Sequence, residues 1–140
     1  MHIYIYFIGK PRDEHANAMA AEFVKRSTRY ARCLMRQIKP DRAGDLWNTH
    51  KSALVALLDP AGKPMDTAQF VSLVEKAEYH ARDLVFLIGG ADGLPVDLRR
   101  RAGLLLSLFP LTLPHELARV LLAEQIYRAL TTLRGHPYPR

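Results

Sequence analysis

Leu84-Val85-Phe86-Leu87-Ile88-Gly89-Gly90-Ala91-Asp92-Gly93-Leu94-Pro95 is the stretch from which the rest of the chain is read. Five consecutive apolar residues leave no polar face, the pattern of a strand buried on both sides of a parallel sheet. The glycines that follow place a tight loop at the carboxyl end of that strand, where open α/β sheets bind ligands. Judged locally, Gly89 and Gly90 read equally well as an ordinary strand-to-helix turn.

Upstream, His2 to Ile8 is β-branched and aromatic and ends at Gly9, giving a first strand rather than a secretory leader. Ala16, Met19, Ala20, Phe23 and Val24 then recur at helical spacing. Cys33 to Ile38 reads as a short strand, and Lys39 to Lys51 as a polar loop with a helical turn. Ala53 to Leu58 is the next strand, ended by Asp59 and Pro60 and a turn through Gly62 and Pro64. Asp66 and Gln69 form a capping box ahead of a helix whose stripe is Phe70, Val71, Val74 and Ala77. Downstream come a short arginine-bearing helix over Val96 to Ala102, an apolar run Leu104 to Leu108, a loop Phe109 to Leu113 and a long helix opened by Pro114. Strands alternating with helices predict an α/β fold with a parallel sheet flanked by helices. With 140 residues, one domain over 1–140 is expected.

The long helix is apolar around most of its circumference, at Leu117, Val120, Leu121, Leu122, Ala123, Ile126, Tyr127 and Leu130. One sheet cannot cover so many faces, so a second subunit is expected against it.

The single cysteine, Cys33, excludes an intrachain disulfide and fits a reducing cytoplasm. No apolar run has the length needed to cross a membrane. His2, His15, His50 and His80 are scattered without partners at ligand spacing, so no metal is expected. The dinucleotide and Walker signatures are absent. Asp59 and Asp92 read as turn formers, and His115 as a cap at a helix start.

The net charge is +6, and residues 98 to 140 carry seven arginines against Glu116 and Glu124 alone. Arginine suits phosphate, so this third of the chain points to a polyanionic partner such as RNA. Arg134, His136, Tyr138 and Arg140 add stacking surface to charge, as RNA contacts do, although by composition alone the same residues read more readily as a frayed tail.

Several ordered motifs share a further property. Leu57-Leu58-Asp59, Gly62-Lys63-Pro64, Leu87-Ile88-Gly89-Gly90, Leu111-Thr112-Leu113-Pro114-His115, Arg119-Val120-Leu121, Ala123-Glu124-Gln125-Ile126-Tyr127-Arg128-Ala129 and His136-Pro137-Tyr138 resemble the large-subunit ribosomal RNA pseudouridine N3-methyltransferase family H, of the SPOUT superfamily. The resemblance implies a C-terminal trefoil knot, S-adenosyl-L-methionine bound in it, a homodimer, and methyl transfer to N3 of a pseudouridine in the large-subunit rRNA of the assembled ribosome. It implies cofactor contacts at Leu58, Gly90, Leu108, Phe109, Pro110, Leu111, Thr112 and Leu113. His115, Arg119, His136, Tyr138 and Arg140 are implied to lie toward the RNA, and no catalytic base is identified.

Three departures accompany the resemblance. Phe109 and Pro110 stand where the family has small residues, Pro139 replaces a histidine, and Lys39 to Ser52 is shortened. They motivate a competing reading, a non-catalytic ribosome- or RNA-binding module on the same fold.

Overall fold

The computed structural model describes residues 1–139. Five strands form one parallel sheet: β1 (His2–Phe7), β2 (Arg32–Gln37), β3 (Leu54–Pro64), β4 (Leu84–Ile88) and β5 (Leu104–Ser107), in the order β2-β1-β4-β3-β5. The helices are α1 (Glu14–Ser27), α2 (Leu46–Thr49), α3 (Thr67–Tyr79), α4 (Val96–Arg101) and α5 (His115–Leu133). A 3-10 helix, Pro40–Asp45, leads directly into α2, so the segment expected as loop is mostly helical.

The quoted apolar run is β4, and all five of its residues are buried. It lies between β1 and β3, which explains the absence of any polar alternation. Each such side chain removed from water contributes about 1.5–3 kcal/mol. On one face Ile3, Ile5, Phe7 and Phe86 pack with residues of α1, α3 and α5. On the other, Val55, Leu57, Val85 and Leu87 pack with Leu46 and Leu98 of α2 and α4. The capping box forms as read, with Gln69 N–H donating to Asp66 and Asp66 N–H to the Gln69 side chain.

Three expectations are corrected. The third strand does not end at Leu58. Leu58 pairs with Leu106 of β5, residues 59–62 bulge out, and Lys63 pairs with Leu106 again. The bulge brings Gly62 so close to β5 that a Cβ there would stand 2.6 Å from the Leu105 carbonyl carbon, an approach only glycine permits. The apolar circumference of α5 is also covered largely within the chain. It packs between α1 and α3, and Leu122 is fully buried, while Leu117 and Leu121 stay 47% and 37% exposed. Met19, placed in the apolar stripe of α1, faces solvent instead.

The chain reverses direction across the sheet where its C-terminal third begins. From β4 it crosses β3 through α4 on one face, then leaves β5 through α5 on the other. That reversal leaves a crevice at the carboxyl ends of β3, β4 and β5.

Candidate cofactor site at the carboxyl ends of the sheet

A cavity of about 280 Å3 occupies this crevice. Its walls come from Leu58 to Pro60 at the bulge of β3, from Ile88 to Ala91 with Gly93 and Leu94 at the end of β4, and from Leu106 to Phe109 with Leu111 to Leu113 at the end of β5. His115 and Ala118 of α5 close one side. The loop after β4 turns tightly, with Gly93 N–H donating to Gly90 O at 3.0 Å and Gly93 at φ +73°. A Cβ on Gly90 would sit 3.3 Å from the Ile8 carbonyl oxygen, so that glycine lets β4 and the end of β1 approach beneath the cavity.

Of the residues expected to hold a cofactor, Leu58, Gly90, Leu108, Phe109, Leu111, Thr112 and Leu113 line the cavity, and Pro110 does not. Phe109 is 46% exposed and lies at the rim, so the bulky residue leaves the space open. His115 faces the cavity and makes no cap; Pro114 occupies the N-cap position. Ala118 and Ser107 were not singled out from sequence. Ala118 lies three residues beyond His115, on the same helical face, so spacing alone pointed to it.

Asp59 does more than form a turn. It accepts from Ala61 N–H at 2.8 Å and its other oxygen lies 2.7 Å from Arg99 Nε, tying the bulge of β3 to α4. Among the described residues, no Lys or Arg lines the cavity. Side-chain cations of the kind that pair with the phosphates of a nucleotide are thus missing from this lining.

Glu116 anchors the loop after β1. Its carboxylate accepts from the backbone N–H groups of Arg12 and Asp13 and from the Asn17 amide. The Arg12 N–H, above all, holds its pKa below the ordinary value. Arg119, expected to lie toward RNA, is fully buried. Its guanidinium sits 3.8 Å from the Phe7 ring centroid, donates to Asn17 Oδ1 at 2.8 Å, and stands 3.7 Å from Glu116. It therefore braces α5 against β1 and α1 in this chain.

The tail residues are not brought to this cavity. Arg134 forms a two-pronged pair with Glu78 of α3. Tyr138 folds back along α5, its ring 4.6 Å from Tyr127 and its hydroxyl donating to Glu124 at 3.1 Å. Burial, then the Glu124 charge, raises the phenol's pKa. Glu124 lies nine residues past His115, about 14 Å along the helix at 1.5 Å per residue. His136 packs edge-on near Tyr30, and Arg140 lies outside the described residues. Two histidines read as scattered also find company: the His50 ring lies 4.4 Å from that of Tyr4 and is hydrogen-bonded to Tyr6, and His2 meets Tyr4.

Comparison with known proteins agrees with this geometry. A family profile described as "Predicted SPOUT methyltransferase" matches residues 1–139. Ribosomal RNA large subunit methyltransferase H of Solibacter usitatus is 60% identical over 140 residues, all of both chains. Among solved structures, a methylase family protein from Haemophilus influenzae superimposes with a TM-score of 0.62 at 12% identity, over 99% of this chain and 70% of that one. An AdoMet-bound rRNA methyltransferase from Sinorhizobium meliloti gives 0.55 at 16% identity, over 91% of this chain and 56% of its own. With a profile match along nearly its whole length and a relative of this identity, the chain belongs to the SPOUT methyltransferases, and within them to the ribosomal RNA large subunit methyltransferase H family.

Proposed function

We propose that the chain is a single SPOUT-like methyltransferase domain, acting as a homodimer in the cytoplasm. Its reaction transfers a methyl group from S-adenosyl-L-methionine to N3 of a pseudouridine in the large-subunit rRNA of the assembled ribosome. The observation that carries this reading is the cation-free, largely apolar cavity between the ends of β3, β4 and β5, in a chain 60% identical along its length to an rRNA large subunit methyltransferase.

The residues present fit such a cofactor. Leu58, Leu108, Leu111 and Leu113 offer apolar walls to a flat ring, while the glycine loop exposes main-chain groups at close range. Lack of lysine and arginine suits a ligand without phosphates and with a positive sulfonium. When bound, S-adenosyl-L-methionine supplies a methyl carbon made electrophilic by that sulfonium. The chain's own part is to hold nucleophile and methyl donor in line and to exclude competing water, which converts a bimolecular encounter into a positioned one. The N3 proton must leave as the new bond forms. Asp59 is engaged by Arg99, so no lining carboxylate is free as a base, and the acceptor is water or a group of the tail or of the neighbouring subunit.

Support for the homodimer comes from what α5 leaves uncovered. Phe109, Leu111, Leu117 and Leu121 are the exposed large apolar residues of the C-terminal third beyond α4, and they cluster within 13 positions around the cavity loop and the first half of α5. A partner seated there buries them and narrows the mouth of the cavity. The tail, which lies away from its own cavity, is then available to the partner's. The C-terminal trefoil knot belongs to the same reading.

Calorimetric titration with S-adenosyl-L-methionine tests the cofactor assignment. Saturable binding is expected, weakened about tenfold or more in Ala118→Leu, whose added methyl groups enter the cavity from α5. RNA affinity with no cofactor binding instead identifies the non-catalytic module.

A further inference from the structure

The charge asymmetry of the sequence is not where the available charge lies in the structure. In the C-terminal third, Arg99, Arg128 and Arg134 are paired with Asp59, Glu124 and Glu78, Arg119 is buried, and Arg101 stacks on Trp47. Arg100 has no partner among the described residues, nor do surface cations elsewhere such as Lys51 and Lys76, but Lys25 and Arg29 are two such cations set together, on and just past the last turn of α1. Both border a second cavity, of about 660 Å3, between α1 and α5.

The cavity's composition is specific. Lys25, Arg26 and Arg29 face Glu22, which is bonded to Arg26 at 3.0 Å, so the groove keeps a net charge of about +2 by this count of its four charged side chains. Tyr30, half-buried, supplies aromatic surface, its ring 6.4 Å from that of buried Tyr127 and at the same distance from the His136 ring. Cations spaced along one wall beside stackable rings match the chemistry of a single nucleic-acid strand, whose phosphates need charge and whose bases need flat faces.

Position gives the groove its role. Helices α1 and α5 run side by side from the cofactor end, as the contacts of Asp13 with Glu116, Asn17 with Arg119 and Phe23 with Tyr127 show. Fourteen residues of α1 at 1.5 Å each put the groove about 20 Å from the start of that helix. It is thus a separate anchor from the cofactor cavity.

We propose that this groove binds a single-stranded segment of the RNA substrate, with phosphates at Lys25 and Arg29 and a base against Tyr30. The proposal rests on the RNA-methylating reading above and adds a second point of attachment. Two tethered contacts raise affinity without altering the chemical step.

The test compares the full-length protein with Lys25→Glu/Arg29→Glu and with Lys51→Glu/Lys76→Glu, a pair of exposed residues elsewhere with the same change of charge. Anisotropy of a short, fluorescein-labelled single-stranded RNA without pseudouridine measures the groove, and steady-state methylation of ribosomes measures function. For the groove pair we expect RNA affinity to fall about tenfold and the slope of log affinity against log salt to flatten by about 1.4, two phosphates' worth. The ribosome KM should rise by a similar factor, with kcat and S-adenosyl-L-methionine affinity unchanged. Tyr30→Leu should weaken RNA binding and leave the salt slope alone. Sedimentation should show the same assembly for every variant. Equal losses in the two charge pairs, no loss in the groove pair, or a changed oligomeric state in the groove pair overturns the proposal. Groove-dependent RNA binding by a protein that methylates no ribosome supports the groove and contradicts the methyl-transfer reading, so the two failures are distinguishable.

Discussion

Arg119 shows what a residue's type leaves open. An arginine on a basic C-terminal segment reads as a phosphate contact, yet this one is buried over Phe7, with Nε and one terminal nitrogen lacking hydrogen-bond partners. Its neighbour Glu116 carries the more testable consequence. Above all the Arg12 N–H, with the Asn17 amide of α1 and the Asp13 N–H, depresses its pKa, so the folded state binds fewer protons than the unfolded one in mild acid. The stability it contributes is therefore present above the ordinary carboxylate pKa of about 4.3 and is lost as pH falls through the lower folded value. Glu116→Gln should reduce Tm at neutral pH and flatten its decline below about pH 5, as followed by circular dichroism. A variant whose acid limb parallels that of the wild type removes Glu116 from the account.

At the level of elements, the bulge in β3 sets how β3 and β5, two of the strands that wall the cavity, lie against each other. Gly62→Ala forces a methyl group into the Leu105 backbone and has no flexible side chain to displace. Destabilisation of about 1–3 kcal/mol is expected, read as a lowered denaturant midpoint, together with weaker S-adenosyl-L-methionine binding as β3 and β5 separate. A wild-type midpoint and affinity contradict the role given to the bulge. The same element marks the limit of what the sequence disclosed. Apolar runs and the Asp66–Gln69 box placed β4 and α3 closely, because burial on both faces and reciprocal capping are local in origin. Most of the residues that line the cavity after β4 and β5 were singled out through Leu87-Ile88-Gly89-Gly90 and Leu111-Thr112-Leu113-Pro114. Resumption of β3 at Lys63 was not legible, since Asp59-Pro60-Ala61-Gly62 has turn composition and only β5 draws the chain back into the sheet. The tail fared likewise: a contact such as Tyr138 with Glu124 is set by tertiary packing and leaves no periodic trace.

In the whole molecule a cavity lies at one end of the sheet, a basic groove at the other end of α1, and exposed apolar residues on the loop before α5 and its first half. Leu121 is the clean probe of assembly, because it is partly exposed in the chain itself, whereas Leu122 is fully buried and a charge there tests folding. Leu121→Glu should give a folded monomer by sedimentation at micromolar concentration, since a lone charge in an apolar interface costs several kcal/mol. An unchanged dimer moves the interface elsewhere, and a monomeric wild type removes it. The central claim concerns chemistry, and methyl transfer addresses it directly. Purified protein is incubated with methyl-tritiated S-adenosyl-L-methionine and assembled ribosomes lacking the N3 methyl group, with free large-subunit RNA as the control substrate, and nucleosides are then separated by chromatography. The account predicts label in the large-subunit RNA of the ribosomes, eluting as N3-methylpseudouridine, and little in the free RNA; label absent from both, or present on another nucleoside, contradicts it.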